Sequence, residues 1–241
     1  MFAIGGAHAV FTNRKGGVSA PPYDTLNLGP HVGDDPQAVL RNRAIVDRAI
    51  GHDVVWMKQT HSARVEVVRP GYTHVTPVCD GLVCDVDEFR RVGLGVPALG
   101  VMVADCVPVL IASEDGRYLA AIHAGRAGIV TRIIAEALRQ LRSLGAAEGT
   151  LHAAIGPSIC QRCYEVPEDL RAYVTQTVPE AWAATRQGKP ALDLKAAARA
   201  QLLEGGVRVS FTSKRCTYED ANLYSYRRQA QTGRFAGIIM P

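Results

Sequence analysis

Residues 101–130 constrain the chain more than any other stretch. They read VMVADCVPVLIASEDGRYLAAIHAGRAGIV, in which two apolar runs, 107–111 and 118–122, are split by Glu114-Asp115-Gly116. That tripeptide is a turn signal, and short apolar runs bounded by turns read as buried strands. Cys106 precedes the first run and His123 ends the second. Two adjacent strands would then bring a thiol and an imidazole together, a pairing suited to a metal or to nucleophilic catalysis. His61 stands in the same relation to a third run, 54–57, where the chain passes into Lys58-Gln59-Thr60-His61-Ser62. Two histidines and one cysteine with a fourth position open form a catalytic rather than a structural zinc set, and copper is also compatible. A metal held there would lower the pKa of a bound water to about 7.

The rest of the chain alternates strand and helix signals. Residues 1–35 read as a strand followed by a long polar loop. Asp34-Asp35-Pro36 is a helix start, Val39, Leu40, Val46, Ala49 and Ile50 suit one helix face, and Gly51 stops it. Segments 54–57 and 63–67 read as two strands around the 59–62 turn. The apolar spacing over 129–144 predicts one helix ended by Gly145. A short strand at 151–155, a helix over 165–178, a polar loop at 180–190, a helix from the Asp193 cap to Glu204 and strands at 207–211 and 233–239 complete the chain. With neither repeat nor linker, this reads as a single domain over 1–241 of the α/β class (mixed α+β), with mixed sheets and flanking helices.

Charge narrows the partners. Lys and Arg exceed Asp and Glu by 4, with no basic block long enough to track a nucleic-acid backbone, so a small anion is the more economical ligand. Gly125 and Gly128 bracket Arg126 at a helix opening, where free N–H groups and a guanidinium would attract such an anion. Arg41 and Arg43 either point inward to one or lie exposed on their helix. No run approaches the roughly 18 apolar residues of a membrane span, and the N-terminus lacks the basic and apolar regions of a secretory signal. Six cysteines are sparse for 241 residues, so a disulfide scaffold is not expected and a cytoplasmic location is. Cys160-Gln161-Arg162-Cys163 has no second CxxC, so its thiols, like Cys79 and Cys84, are expected to pack, with a redox pair as the alternative. Gly93-Leu94-Gly95 lacks the third glycine of a dinucleotide fingerprint.

Several motifs together resemble the YfiH/DUF152 family, also called the laccase-domain or multicopper polyphenol oxidase family, whose members include purine nucleoside phosphorylases. They are Lys58-Gln59-Thr60-His61, Asp80-Gly81-Leu82-Val83, Ala104-Asp105-Cys106-Val107-Pro108, Ala120-Ala121-Ile122-His123-Ala124-Gly125 and Ile155-Gly156-Pro157-Ser158-Ile159. The stretches 14–19, 27–29 and 31–36, and Tyr224-Ser225-Tyr226-Arg227-Arg228, match as well. The resemblance implies a YfiH-like fold, also likened to cysteine hydrolases, with zinc on His61, Cys106 and His123. It implies phosphorolysis of adenosine, inosine and methylthioadenosine, and adenosine deamination at the same site. The family commonly has Trp-Arg after His-Ala-Gly, whereas Arg126-Ala127 stands here, moving the arginine by one residue, or about 100° around a helix.

On this reading the partners are purine nucleosides and phosphate. Arg43, Lys58 and Arg126 are candidates to hold phosphate and Gln59 to orient substrate. Asp105 is a candidate acid/base or a partner of a ligating histidine. A copper-dependent polyphenol oxidase is the first alternative, although beyond one ligand set only the scattered His8, His31, His52, His74 and His152 remain for further coppers. A Cys106–His123 amide hydrolase editing peptidoglycan precursors and a non-catalytic, metal-stabilised module are the others.

Overall fold

The computed structural model describes residues 1–72 and 76–241, so His74 lies outside the described residues. In chain order the elements are β1 (Phe2–Ile4), β2 (Ala7–Phe11), α1 (Pro36–Ile50), β3 (Val54–Trp56), β4 (Val65–Val67), β5 (Gly81–Asp85), α2 (Val86–Arg91), β6 (Ala98–Val103), β7 (Val107–Ser113) and β8 (Tyr118–Ala124). They continue with α3 (Arg126–Val130), α4 (Ile133–Ser143), β9 (Leu151–Ile155), α5 (Glu168–Thr177), β10 (Trp182–Ala184), β11 (Pro190–Leu192), α6 (Leu194–Glu204), β12 (Arg208–Thr212) and β13 (Phe235–Met240).

Two mixed sheets result. One has the order β1-β2-β13-β6-β3, antiparallel except for the β6–β3 pair. The other has the order β12-β9-β7-β8-β5-β4, with parallel pairs at both edges and antiparallel strands between. The alternation of side chains along β7 explains the layering. Val107, Val109 and Ile111 join a core under α4, α5 and α6, while Leu110 and Ala112 point into the core between the sheets with Leu99, Val101 and Phe235. A third apolar cluster, including Val46, Trp56 and Met102, lies between the other face of the first sheet and α1. The order of layers is therefore helix, sheet, sheet, helix. Strands buried on both faces have no polar face to show, which is why 107–111 and 118–122 read as unbroken apolar runs.

Local chemistry sets several boundaries as expected. Asp35 caps α1 by accepting from the N–H groups of Gln37 and Ala38, Pro36 opens it, and Gly51 closes it at φ 76°. Asp193 caps α6 through the Ala196 N–H. Other expectations are corrected. In α1, Leu40 and Ala49 are exposed, and the buried face carries Ala38, Val39, Val46 and the polar Asn42. The helix expected over 129–144 is broken: Arg132 adopts φ 64°, and α3 and α4 lie on either side of it. The apolar period survives the break because Ile129, Ile133 and Ile134 enter one core cluster. The polar loop expected at 180–190 contains β10 and ends where β11 begins, and the two strands form an antiparallel pair. The strands around the 59–62 turn belong to different sheets, β3 to the first and β4 to the second. Cys79 and Cys84 pack between the sheets as expected, but Cys160 and Cys163 stand half-buried on a loop after β9.

Among the described residues, no helix is long and apolar enough to cross a membrane.

Candidate metal centre

Three connections build the site. The chain passes from the first sheet to the second between β3 and β4, carrying His61, and again between β6 and β7, carrying Cys106. His123 lies in β8, in register with Pro108 of β7, two residues beyond Cys106. One Sγ atom and one nitrogen from each ring lie within 4.8 Å of one another. His61 Nε2 is 3.9 Å from Cys106 Sγ, and the two imidazoles meet edge to face with centroids 4.8 Å apart.

Both crossings use backbone that side chains seldom adopt. His61 has φ 60° and Asp105 has φ 109°, conformations that persist only where the surroundings impose them. Asp105 is held by three bonds. Its carboxylate accepts from Thr217 Oγ1 at 2.5 Å and from the Arg227 N–H at 2.7 Å, and its carbonyl accepts from the Ile159 N–H at 3.0 Å. This grip aims Cys106 at the two histidines.

Asp80 organises the His61 side. Its carboxylate is wholly buried and accepts from the N–H groups of Thr60, His61 and Ser62 and from the Thr60 and Ser62 hydroxyls. It also meets His123 Nδ1 at 2.8 Å. Burial opposes its charge, but the bonds from His123 and Ser62 prevail and hold the carboxyl well below the usual range. An ionised Asp80 can only accept, so Nδ1 keeps its proton and Nε2 is the nitrogen that would give up its proton to ligate a metal.

Burial also opposes the Cys106 thiolate, yet the adjacent His123 and His61 rings bring it down to about 6. Burial likewise disfavours a charged His123, but Cys106 and Asp80 raise it to about 9. Two imidazoles and a low-pKa thiol are fitting donors for zinc or copper. Gly125 packs closely against the three side chains. A methyl group on Gly125 would stand 3.0 Å from His61 Cδ2, 3.3 Å from Cys106 Sγ and 3.5 Å from His123 Cε1.

The remaining sequence candidates are placed as follows. Asp105 is engaged by Thr217 and Arg227 rather than by a candidate ligand histidine, whereas Asp80 meets His123. Both polar atoms of the Gln59 amide are engaged by the Met102 backbone, at 2.7 and 2.9 Å, so Gln59 ties the His61 loop to β6. Lys58 is exposed. Arg43 points inward: its guanidinium lies 4.9 Å over the Trp56 ring and donates to the Leu28 carbonyl, and burial lowers it to about 10. Arg126 lies near enough to Tyr164 for its charge to act on that hydroxyl, which burial and then Cys106 push up.

The sequence reading missed three neighbours of the centre. Arg234 is lowered by burial, while the charges of Cys106 and Asp105 act in the opposite direction. His31 is lowered by burial and then by Arg234, Arg43 and His123. Arg227 stacks over Tyr164 at 5.0 Å. No local chemistry assigns them to the centre, although Asp80, Arg227 and His31 stood in stretches that carried the family resemblance, and His31 was counted only among the histidines left for further coppers.

A family model described as multi-copper polyphenol oxidoreductase laccase matches residues 8–241. The chain belongs to this laccase-domain family. A relative named as a purine nucleoside phosphorylase in Streptomyces coelicolor is 46% identical over 239 residues, 98% of this chain and 96% of its own length. One so named in Deinococcus radiodurans is 40% identical, covering 95% of this chain and 87% of its own. Among solved laccase-domain structures, a Neisseria meningitidis DUF152 protein superposes with a TM-score of 0.86 at 35% identity, covering 97% of this chain and 93% of that one. YlmD of Geobacillus stearothermophilus gives 0.83 at 30% identity, covering 97% and 91%.

Proposed function

We propose that this laccase-domain protein is a purine nucleoside phosphorylase acting on adenosine, inosine and methylthioadenosine at a zinc centre, with adenosine deamination at the same site. The observation that carries the reading is the convergence of His61, Cys106 and His123 on one point, with Asp80 fixing the tautomer of His123. Relatives that match nearly the full chain at 40–46% identity and are named purine nucleoside phosphorylases support the substrate class.

When bound, zinc supplies Lewis acidity at a coordination position the protein leaves open. The chain's own residues do the rest. Phosphorolysis breaks the bond from ribose C1′ to the base and forms a bond from C1′ to a phosphate oxygen, while positive charge develops on the sugar. Phosphate must therefore be held beside C1′. Arg43 and Arg234 lie near enough to His31 for their charges to act on it, Arg126 lies near Tyr164, and the lowered pKa of His31 leaves that ring free to accept a hydrogen bond. Asp105 serves as a positioning residue for Cys106, because its carboxylate is engaged by Thr217 and Arg227.

The test is release of adenine or hypoxanthine from adenosine and inosine, with and without phosphate, by the wild-type protein and by Cys106→Ala. Phosphate-dependent release that is lost in the variant is the expected result. Release by metal-free Cys106→Ala at the wild-type rate would overturn the reading. Metal analysis of the same samples separates zinc from copper.

A second reading rests on one specific geometry. Asp80, His123 and Cys106 are ordered as an acid, a base and a thiol. A metal-free amide hydrolase would lose activity on alkylation of Cys106 and keep it in chelator.

A further inference from the structure

A second cluster lies outside this centre. Cys160 and Cys163 are half-buried and Cys216 is buried, and their Sγ atoms and a Glu219 carboxylate oxygen all lie within 4.8 Å of one another. The parallel neighbours β9 and β12 deliver them. Beyond the two strands, the loops stay paired through a bridge between Ser158 and Cys216, where the Thr217 N–H donates to the Ser158 carbonyl at 3.1 Å. Each loop then folds on itself. The Cys163 and Tyr164 N–H groups donate to the Cys160 carbonyl, and the Asp220 N–H donates to the Cys216 carbonyl. A Cys-x-x-Cys turn therefore faces a Cys-x-x-Glu turn. The sequence alone showed one half of this arrangement, because the other half lies more than fifty residues away and ends in a carboxylate.

We propose that Cys160, Cys163, Cys216 and Glu219 form a second metal site, taking a thiophilic divalent cation of the zinc type. In a tetrahedral site with zinc–sulfur bonds of about 2.3 Å, sulfurs lie roughly 3.8 Å apart. Donors already within 4.8 Å reach that spacing by small side-chain adjustments. The Cys160 N–H donates to Cys216 Sγ at 3.2 Å, the kind of bond that supports a ligating thiolate. Glu219 also pairs with Arg186 at 2.6 Å, and its two oxygens allow the ion pair and ligation together. A Cys160–Cys163 disulfide would leave Cys216 and Glu219 without a role. All four positions are filled by the protein, so the site is structural rather than catalytic.

Its position gives it a task. Ile159 precedes Cys160 and Thr217 follows Cys216, and these two residues grip Asp105 beside Cys106. The metal would lock both loops and thereby the turn that presents Cys106. The proposal stands apart from the reaction assigned to the first centre.

The experiment uses the full reduced chain carrying Cys106→Ala, titrated with Co2+ alone. With Cys106 removed and Cys79 and Cys84 buried in the core, thiolate-to-cobalt charge-transfer absorption reports on this cluster. The expected result is a near-ultraviolet band that saturates at one Co2+ per chain and is displaced by Zn2+. Adding Cys163→Ser or Cys216→Ser should abolish or sharply reduce the band, whereas Glu219→Gln should keep it and move its midpoint to higher Co2+. Cys163 is half-buried and Glu219 exposed, so these two variants serve if Cys216→Ser fails to fold. Absence of the band in folded, reduced protein would overturn the proposal. So would its persistence in the folded Cys163→Ser variant at full intensity, or a wild-type mass lower by two hydrogens from a disulfide within the cluster.

Discussion

The Asp80 carboxylate and His123 Nδ1 meet at 2.8 Å where neither is open to water. Through this contact one residue orients two candidate ligands, because the same carboxylate gathers the N–H groups of Thr60, His61 and Ser62. Asp80→Asn keeps the shape, removes the charge and turns an NH2 donor toward groups that all donate. On the metal-centre reading the expected outcome is a metal affinity about 10–100-fold weaker, in line with loss of a group supporting a metal-ligating histidine. Stability should fall by about 2–3 kcal/mol, as expected for charge-assisted hydrogen bonds. Metal titration and urea denaturation of the metal-free chain check the two parts.

Gly125 has φ −75°, so its backbone accepts any residue, and only the space beside it forbids a side chain. Gly125→Ala would place its methyl 3.0 Å from His61 and 3.3 Å from Cys106 Sγ. Crowding this buried position is expected to cost about 1–3 kcal/mol of stability. On the proposed reading it should bind metal poorly and lose activity. Metal content beside the thermal midpoint makes the distinction.

Asn42 is the polar residue on the buried face of α1. Its Oδ1 accepts from the Val18 N–H at 2.8 Å, and its Nδ2 donates to Ser19 Oγ and to the Thr25 and Asn27 carbonyls. Asn42→Asp preserves volume and sets a carboxylate oxygen against two carbonyls. A loss on the order of 3 kcal/mol is expected, the cost of unsatisfied buried polar groups. The loop leading to His31 should become susceptible to proteolysis. Limited digestion and urea unfolding report both.

Asp85 accepts two bonds from Arg117, at 3.0 and 2.8 Å, and one from the Asp87 N–H that caps α2. Burial works against its charge, but these partners win and lower its pKa from the ordinary 3.8. A depressed folded-state pKa contributes stability that is whole above the ordinary value and fades as pH falls through the folded one. Asp85→Asn should therefore cost on the order of 2 kcal/mol at neutral pH. That difference should shrink below about pH 4. Urea midpoints of both proteins between acid and neutral pH test the sign; a difference growing toward acid would contradict it.

Arg234→Met removes the guanidinium near Cys106 and Asp105 while keeping much of the stem volume. On the phosphorolysis reading it should raise KM for phosphate at least tenfold, an effect of about 1.4 kcal/mol. KM for the nucleoside should change less. Initial rates at varied phosphate measure this directly.

Local chemistry made part of the molecule legible in advance. The ends of α1 and α6 follow from Asp35, Pro36, Gly51 and Asp193, because a cap is a contact between residues two to four apart. The doubly buried β7 and β8 follow from unbroken apolar runs. His61, Cys106 and His123 were visible as polar punctuation at the ends of such runs. Tertiary structure decided the rest. Pairing of distant strands set the second sheet and separated β3 from β4. Asp80 became the partner of His123 only because β5 lies beside β8, and Gln59 was taken by Met102 because β3 lies beside β6. The parallel pairing of β9 with β12 brought Cys216 and Glu219 to Cys160 and Cys163. Caps and periodicity are energies between near neighbours and can be read along the chain. Which strand lies beside which is settled by the burial of whole faces, and the side chains that meet as a result carry no local mark.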